Sequence, residues 1–111
     1  MSDIISIEKI LQHSQDEALK RLDVPELGGC LYYKSLRAKE LEVAKKEIRD
    51  EDPMINFMAQ LVCLKALDSN GARIFKNDRV KDFLDAVHPS VIERIYEEMR
   101  RVPTVEDAEK N

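Results

Sequence analysis

The chain has 111 residues, 43% hydrophobic and 36% charged, with a formal net charge of −4. That suits one globular domain rather than a disordered chain. Lys and Arg total 18 against 22 Asp and Glu, spread along the chain; this is not the basic footprint that neutralises phosphates, so a nucleic-acid partner is disfavoured.

The start, "MSDIISIEKILQ", has early acids and no basic n-region, so it does not read as a signal peptide. Asp3–His13 sets Ile4, Ile7, Ile10 and Leu11 at helical spacing, with Ser6 or Asp3 as the cap. In "LKRLDVPELGGCLYYKSL", β-favouring residues flank a Gly28-Gly29 turn, which predicts a hairpin. Pro25 makes the first strand an edge strand or ends it. A lone hairpin is marginal in water and must lie on the helices.

Residues 37–50 carry Leu41, Ala44 and Ile48 on one side and charges on the other, an amphipathic surface helix that ends before Pro53. Residues 54–67, "MINFMAQLVCLKAL", are different: eleven of fourteen are apolar. Such a helix wants partners on most sides, as a central core helix or with one face kept for another subunit. No apolar run is long enough to span a bilayer, and the chain reads as cytoplasmic.

"ALDSNGARIF" places Asp, Asn and Gly together like the opening of a calcium loop. Counted from Asp68, Gly arrives at position 4 rather than 6, and position 12 is Arg79 where a bidentate carboxylate is needed. The stretch instead predicts a turn at Asn70-Gly71 that ends the apolar helix, with Ile74 or Phe75 tucked into the core. Val80, Phe83, Leu84 and Val87 then follow the i, i+3, i+4, i+7 pattern of a helix capped by Asn77 or Asp78. The last helix carries Ile92, Ile95, Tyr96 and Met99, with Ser90 and Glu93 as a capping box and Pro103 as its stop. Its start, Val91-Ile92-Glu93, is apolar and acidic, unlike a DNA-reading helix. Residues 104–111 read as a flexible tail after a domain of residues 1–103.

The fold class is therefore mainly α: about four helices with a small N-terminal β-hairpin in one compact domain. Cys30 and Cys63 both sit in apolar stretches and read as buried reduced thiols. His13 and His88 lie near no ligand partner at metal spacing, and no nucleophile elbow, phosphate loop, HExxH or CxxC occurs. The expectation is no enzyme, no cofactor and no metal.

Taken in order, "VPELGGCLYY", a helix opening "LRAKE", an apolar helix, "LDSNGARIF" and "VIERIYEEM" resemble the tail assembly chaperone family of long-tailed, siphovirus-type bacteriophages. Members commonly show "cD-x-x-G-x-x-lF" before a "dv…L" helix, matched here by Asp68, Gly71, Ile74, Phe75, Val80 and Leu84. Two positions depart from the pattern: Arg37 stands where Ser or Thr often caps, and Leu27 where an aromatic is common. The resemblance implies a self-associating, non-enzymatic protein of the host cell cytoplasm, absent from the mature virion. It implies binding to the tape measure protein and recruitment of the tail tube protein, through a longer form made by ribosomal frameshifting near Glu109-Lys110-Asn111. The candidate interaction residues are Phe57, Met58, Leu61, Val80 and Leu84. The competing reading is a small helical adaptor that binds a peptide motif between its helices. A small acidic DNA mimic ranks below both, because the acids do not cluster.

Overall fold

The computed structural model describes residues 4–101. It is mainly α, with five α-helices and one two-stranded hairpin. In chain order these are α1 (Ile7–Asp16), β1 (Lys20–Val24), β2 (Gly29–Tyr33), α2 (Ala38–Lys46), α3 (Met54–Lys65), α4 (Val80–Ala86) and α5 (Pro89–Arg100). Single 3₁₀ turns lie at Pro25–Leu27 and Asn77–Arg79. The sequence-predicted tail and the proposed frameshift site lie outside the described residues.

The apolar helix is the centre. α3 buries Ala59, Leu61, Val62 and Cys63, and α5 packs along it with Ile92, Ile95 and Met99. α4 closes another side through Val80 and Phe83, and Phe75 meets Phe83 with ring centroids 5.2 Å apart. Of the two residues proposed to tuck into the core, Phe75 does so and Ile74 stays exposed.

β1 and β2 pair antiparallel with Leu22 opposite Leu31. Pro25 ends β1 and opens the 3₁₀ turn, and Gly28 closes it at φ 83°, a conformation that favours glycine. The reversal is thus Pro25–Gly28 rather than Gly28-Gly29, and Gly29 belongs to β2. Alternation sends Leu31 and Tyr33 inward and leaves Cys30 exposed, which corrects the expectation that both thiols are buried. Cys63 is buried, and desolvation pushes its thiol up to about 12.

The hairpin rests on the end of α3. Tyr32 and Leu67 exchange both backbone hydrogen bonds at 2.8 Å, so the chain leaving α3 adds a short third rung to the sheet. The suspected calcium loop is a turn. The Asp68 carboxylate accepts from the N–H groups of Asn70 (2.8 Å) and Ala72 (3.0 Å), and Gly71 sits at φ 87°.

Two helix starts differ from expectation. The Asn77–Arg79 turn precedes α4, so neither Asn77 nor Asp78 caps it with a side chain. At α5, Pro89 occupies the first helical position, which shifts the cap back to His88; its Nδ1 accepts from the Ser90 N–H at 3.1 Å in place of a Ser90–Glu93 box.

A polar network joins the elements where the helices and hairpin converge. The Lys65 ammonium, on a side chain only 5% exposed, donates to both Glu40 oxygens (2.9 and 3.0 Å) and to the Ser35 carbonyl (3.1 Å). Glu40 also accepts from the Arg37 N–H at 2.7 Å, satisfying the start of α2 without a Ser or Thr cap. Glu17 accepts from the Ser35 N–H and the Arg37 guanidinium, both at 2.6 Å. Partial burial pushes the Glu17 carboxyl up, but Ser35 and Arg37 outweigh it and bring the group from 4.5 down to about 2.

Lys65→Ala should cost about 2–4 kcal/mol in urea unfolding, because it strips Glu40 and the Ser35 carbonyl of their buried donor. The folded Glu17 carboxylate holds its charge below its unfolded pKa, so it stabilises the fold above pH 4.5 and loses that contribution as pH falls toward 2. Glu17→Gln should therefore lower the unfolding midpoint at neutral pH and flatten its decline over that acidic window.

Candidate functional site

Among the described residues, no group of three His, Cys, Asp or Glu side chains comes together to hold a metal. No helix there is long and apolar enough to cross a membrane. What the surface does offer is apolar area in two places.

The first is α1. Of the two caps the sequence offered, Ser6 is used, accepting from the Lys9 N–H at 3.2 Å, so the helix starts at Ile7. Gln12 holds Asp16 at 2.9 and 3.0 Å near its end, and the chain then turns away at Glu17, which is tied to Ser35 and Arg37. No residue of α1 is buried. Ile7, Ile10 and Leu11 line one side at 61%, 51% and 55% exposure, and Ile4 and Ile5 just before the helix stand at 90% and 74%. Five such side chains come to roughly 500 Å², as large as the biggest apolar patch an ordinary monomer shows. A ten-residue helix is also too short to be stable in water alone. The strip is the kind that a partner covers.

The second is a groove where the end of α2, the start of α3 and α5 meet. Ile48, Pro53, Met54, Phe57 and Tyr96 form its floor, and Lys45, Arg49, Asp50 and Asp52 its rim. Its volume is about 360 Å³. Phe57 stands edge-on to Tyr96 with centroids 6.3 Å apart, fixing the wall between α3 and α5. Met54 is 65% exposed at the lip.

The structure separates the five sequence-proposed residues. Phe57 lines the groove. Met58 and Leu84 are partly buried against the core. Leu61 and Val80 are buried within the chain, at 0% and 8% exposure, so in this conformation they offer another molecule little surface. The five do not form one patch. The α1 strip had a clear sequence signal in its isoleucine spacing, but spacing identifies an apolar face and not what covers it. Met54 and Tyr96 carried no comparable signal, because the groove depends on how α5 crosses α3.

With this geometry in place, the fold can be compared with known proteins. No family model matches the sequence, and no curated protein does. The fold is similar to the solved structure of the bacteriophage HK97 tail assembly chaperone, with a TM-score of 0.57 over 83% of this chain and 94% of that one. Identity between the two is 13%, so the likeness is one of fold.

Charge placed on the α1 strip should leave the domain folded. Leu11→Asp should change stability by less than about 0.5 kcal/mol, whereas Leu61→Ala should cost about 2–5 kcal/mol through the cavity it leaves. Thermal unfolding followed by circular dichroism at low protein concentration distinguishes the two.

Proposed function

We propose that this chain is a phage tail assembly chaperone: a non-enzymatic, self-associating protein that binds the tape measure protein in the host cytoplasm, helps to recruit tail tube subunits and is left out of the finished virion. The observation that carries the reading is an exposed aliphatic helix on a fold like that of a tail assembly chaperone. A long helical client needs apolar surface that is open before it arrives, and α1 offers such surface without unfolding the domain. The recruiting role belongs to a longer product that carries a second domain, reached by frameshifting at the end of the short reading frame.

The groove beside Phe57 gives the adaptor reading its one specific support, since its apolar floor and charged rim suit one or two anchoring side chains of a peptide. An adaptor would act as a monomer on a short motif and would be made in a single length.

Two experiments separate the readings. Co-expression with the tape measure protein encoded alongside this chain should move that protein into the soluble fraction and co-purify it; a tape measure protein that stays insoluble and unbound overturns the chaperone role. An amino-terminal tag on the native gene with its downstream DNA should give a minor longer band beside the 12.8 kDa product. A single band removes the frameshifted form from the proposal.

A further inference from the structure

We propose that residues 102–107, which follow α5, fold back over the groove between α2, α3 and α5 and close it within the same chain. Val102 and Val105 seat on the apolar floor, and Glu106 and Asp107 reach Lys45 on the rim. The contact is independent of the chaperone reading and leaves the α1 strip open. It takes up the groove that the adaptor reading would offer to a peptide.

Reach comes first. Tyr96 on the groove floor and Arg101 at the end of α5 lie about 7.5 Å apart along the helix axis. Arg101 leaves the helix extended, at φ −64° and ψ 133°, and the Arg100 guanidinium lies 5.5 Å over the Tyr96 ring. The segment therefore starts beside the groove. Six residues span at most about 20 Å, enough to cross it. A tether this short holds its segment at an effective concentration on the order of millimolar, so even a weak contact closes the groove for much of the time.

Shape agrees. Pro103 cannot continue the helix and biases Val102 toward an extended or polyproline conformation. In a polyproline helix every third residue shares a face, which sets Val102 and Val105 on one side about 9 Å apart. The floor beneath holds Phe57 and Tyr96, edge to face with centroids 6.3 Å apart, beside Ile48, Pro53 and Met54. Aromatic-lined grooves take such segments because docking them costs little order. At about 360 Å³ the groove holds a few small side chains, which is what this segment brings.

Charge sets the direction. Among the described residues Lys45 has no ionic partner, whereas Lys46 is engaged by Glu42 and Arg49 by Glu51 and Asp52. Glu106 and Asp107 follow Val105 directly and bring two carboxylates to that ammonium. Asp50 lies on the same rim, so the acids belong at the Lys45 side. A second copy's segment has the same chemistry, but only the chain's own is tethered at the site.

Amide NMR on the full chain tests this. The amides of Ile48, Met54 and Phe57 should differ between the wild type and the double variant Val102→Asp, Val105→Asp, with α1 unmoved and the circular dichroism spectrum unchanged. The differences should persist across a dilution series. Met54→Asp, at an exposed lip position, should move the amides of residues 104–107 toward random-coil shifts. A synthetic peptide of residues 102–111 should bind the double variant about fivefold more tightly than the wild type, whose groove is filled. Lys45→Glu should lower the ratio of closed to open chain by about threefold. If the Met54 and Phe57 amides ignore the double variant, or the peptide binds both chains equally, the groove stands open and the proposal is wrong. If the differences fade on dilution, the segment docks in another copy and closure within the chain is wrong.

Discussion

The fold depends on one buried ammonium. Lys65 closes the last turn of an otherwise apolar helix, and its side chain reaches Glu40 at the start of α2 and the Ser35 carbonyl after β2. Glu40 accepts from the N–H of Arg37 just before α2, while Ser35 and Arg37 hold Glu17 at the exit of α1. Three stretches far apart in sequence, at Glu17, Ser35–Glu40 and Lys65, are thus brought together, and removing one partner of a buried charge costs more than the pair contributes. The ladder rung between Tyr32 and Leu67 and the Asp68 turn lie just beyond the same helix end. Exposed pairs such as Arg21–Asp23 and Arg79–Asp82 add little by comparison.

That anchoring shows how a small chain surrounds an apolar helix. α5, α4, α2 and the hairpin cover α3 on nearly every side, so the puzzle set by eleven apolar residues in fourteen is answered largely within one chain. α1 remains over. Its end is tied to the body, where Glu17 meets Ser35 and Arg37, and none of its residues is buried. The exposed aliphatic surface therefore lies on the short amphipathic helix rather than on the long apolar one.

The helices were legible in the sequence because their apolar period is unambiguous, above all at Val80–Val87 and Ile92–Met99. The turn at Asn70-Gly71 was legible too, once the calcium spacing failed, but the Asp68 carboxylate that closes it was not read from the sequence. Helix starts were less so. His88 outcompetes Ser90 as a cap because Pro89 fits the first helical position, and Arg37 needs no hydroxyl because Glu40 reaches back to its N–H. The network around Lys65 was invisible, since nothing local marks that lysine as the buried one. For the candidate site, periodicity found the apolar face of α1 without saying what covers it, and the proposed residues included Phe57 along with Leu61 and Val80, which the core claims. Periodicity reports which face is apolar; only the crossing of helices decides which faces are already used.

An unpacked helix next to a rigid body has a thermodynamic consequence. Ten residues, capped by Ser6 and with none of them buried, are near the balance point between helix and coil in water. A partner that covered the strip would bury its isoleucines and hold the helix, so the free energy of association would include that of ordering α1. Any such contact would depend on helix propensity as well as on the surfaces that touch: a better helix former on the solvent side of α1 would strengthen it, and a glycine there would weaken it. The domain beneath is unaffected either way, because its core owes nothing to α1. Such a separation leaves the domain folded whether or not anything covers α1.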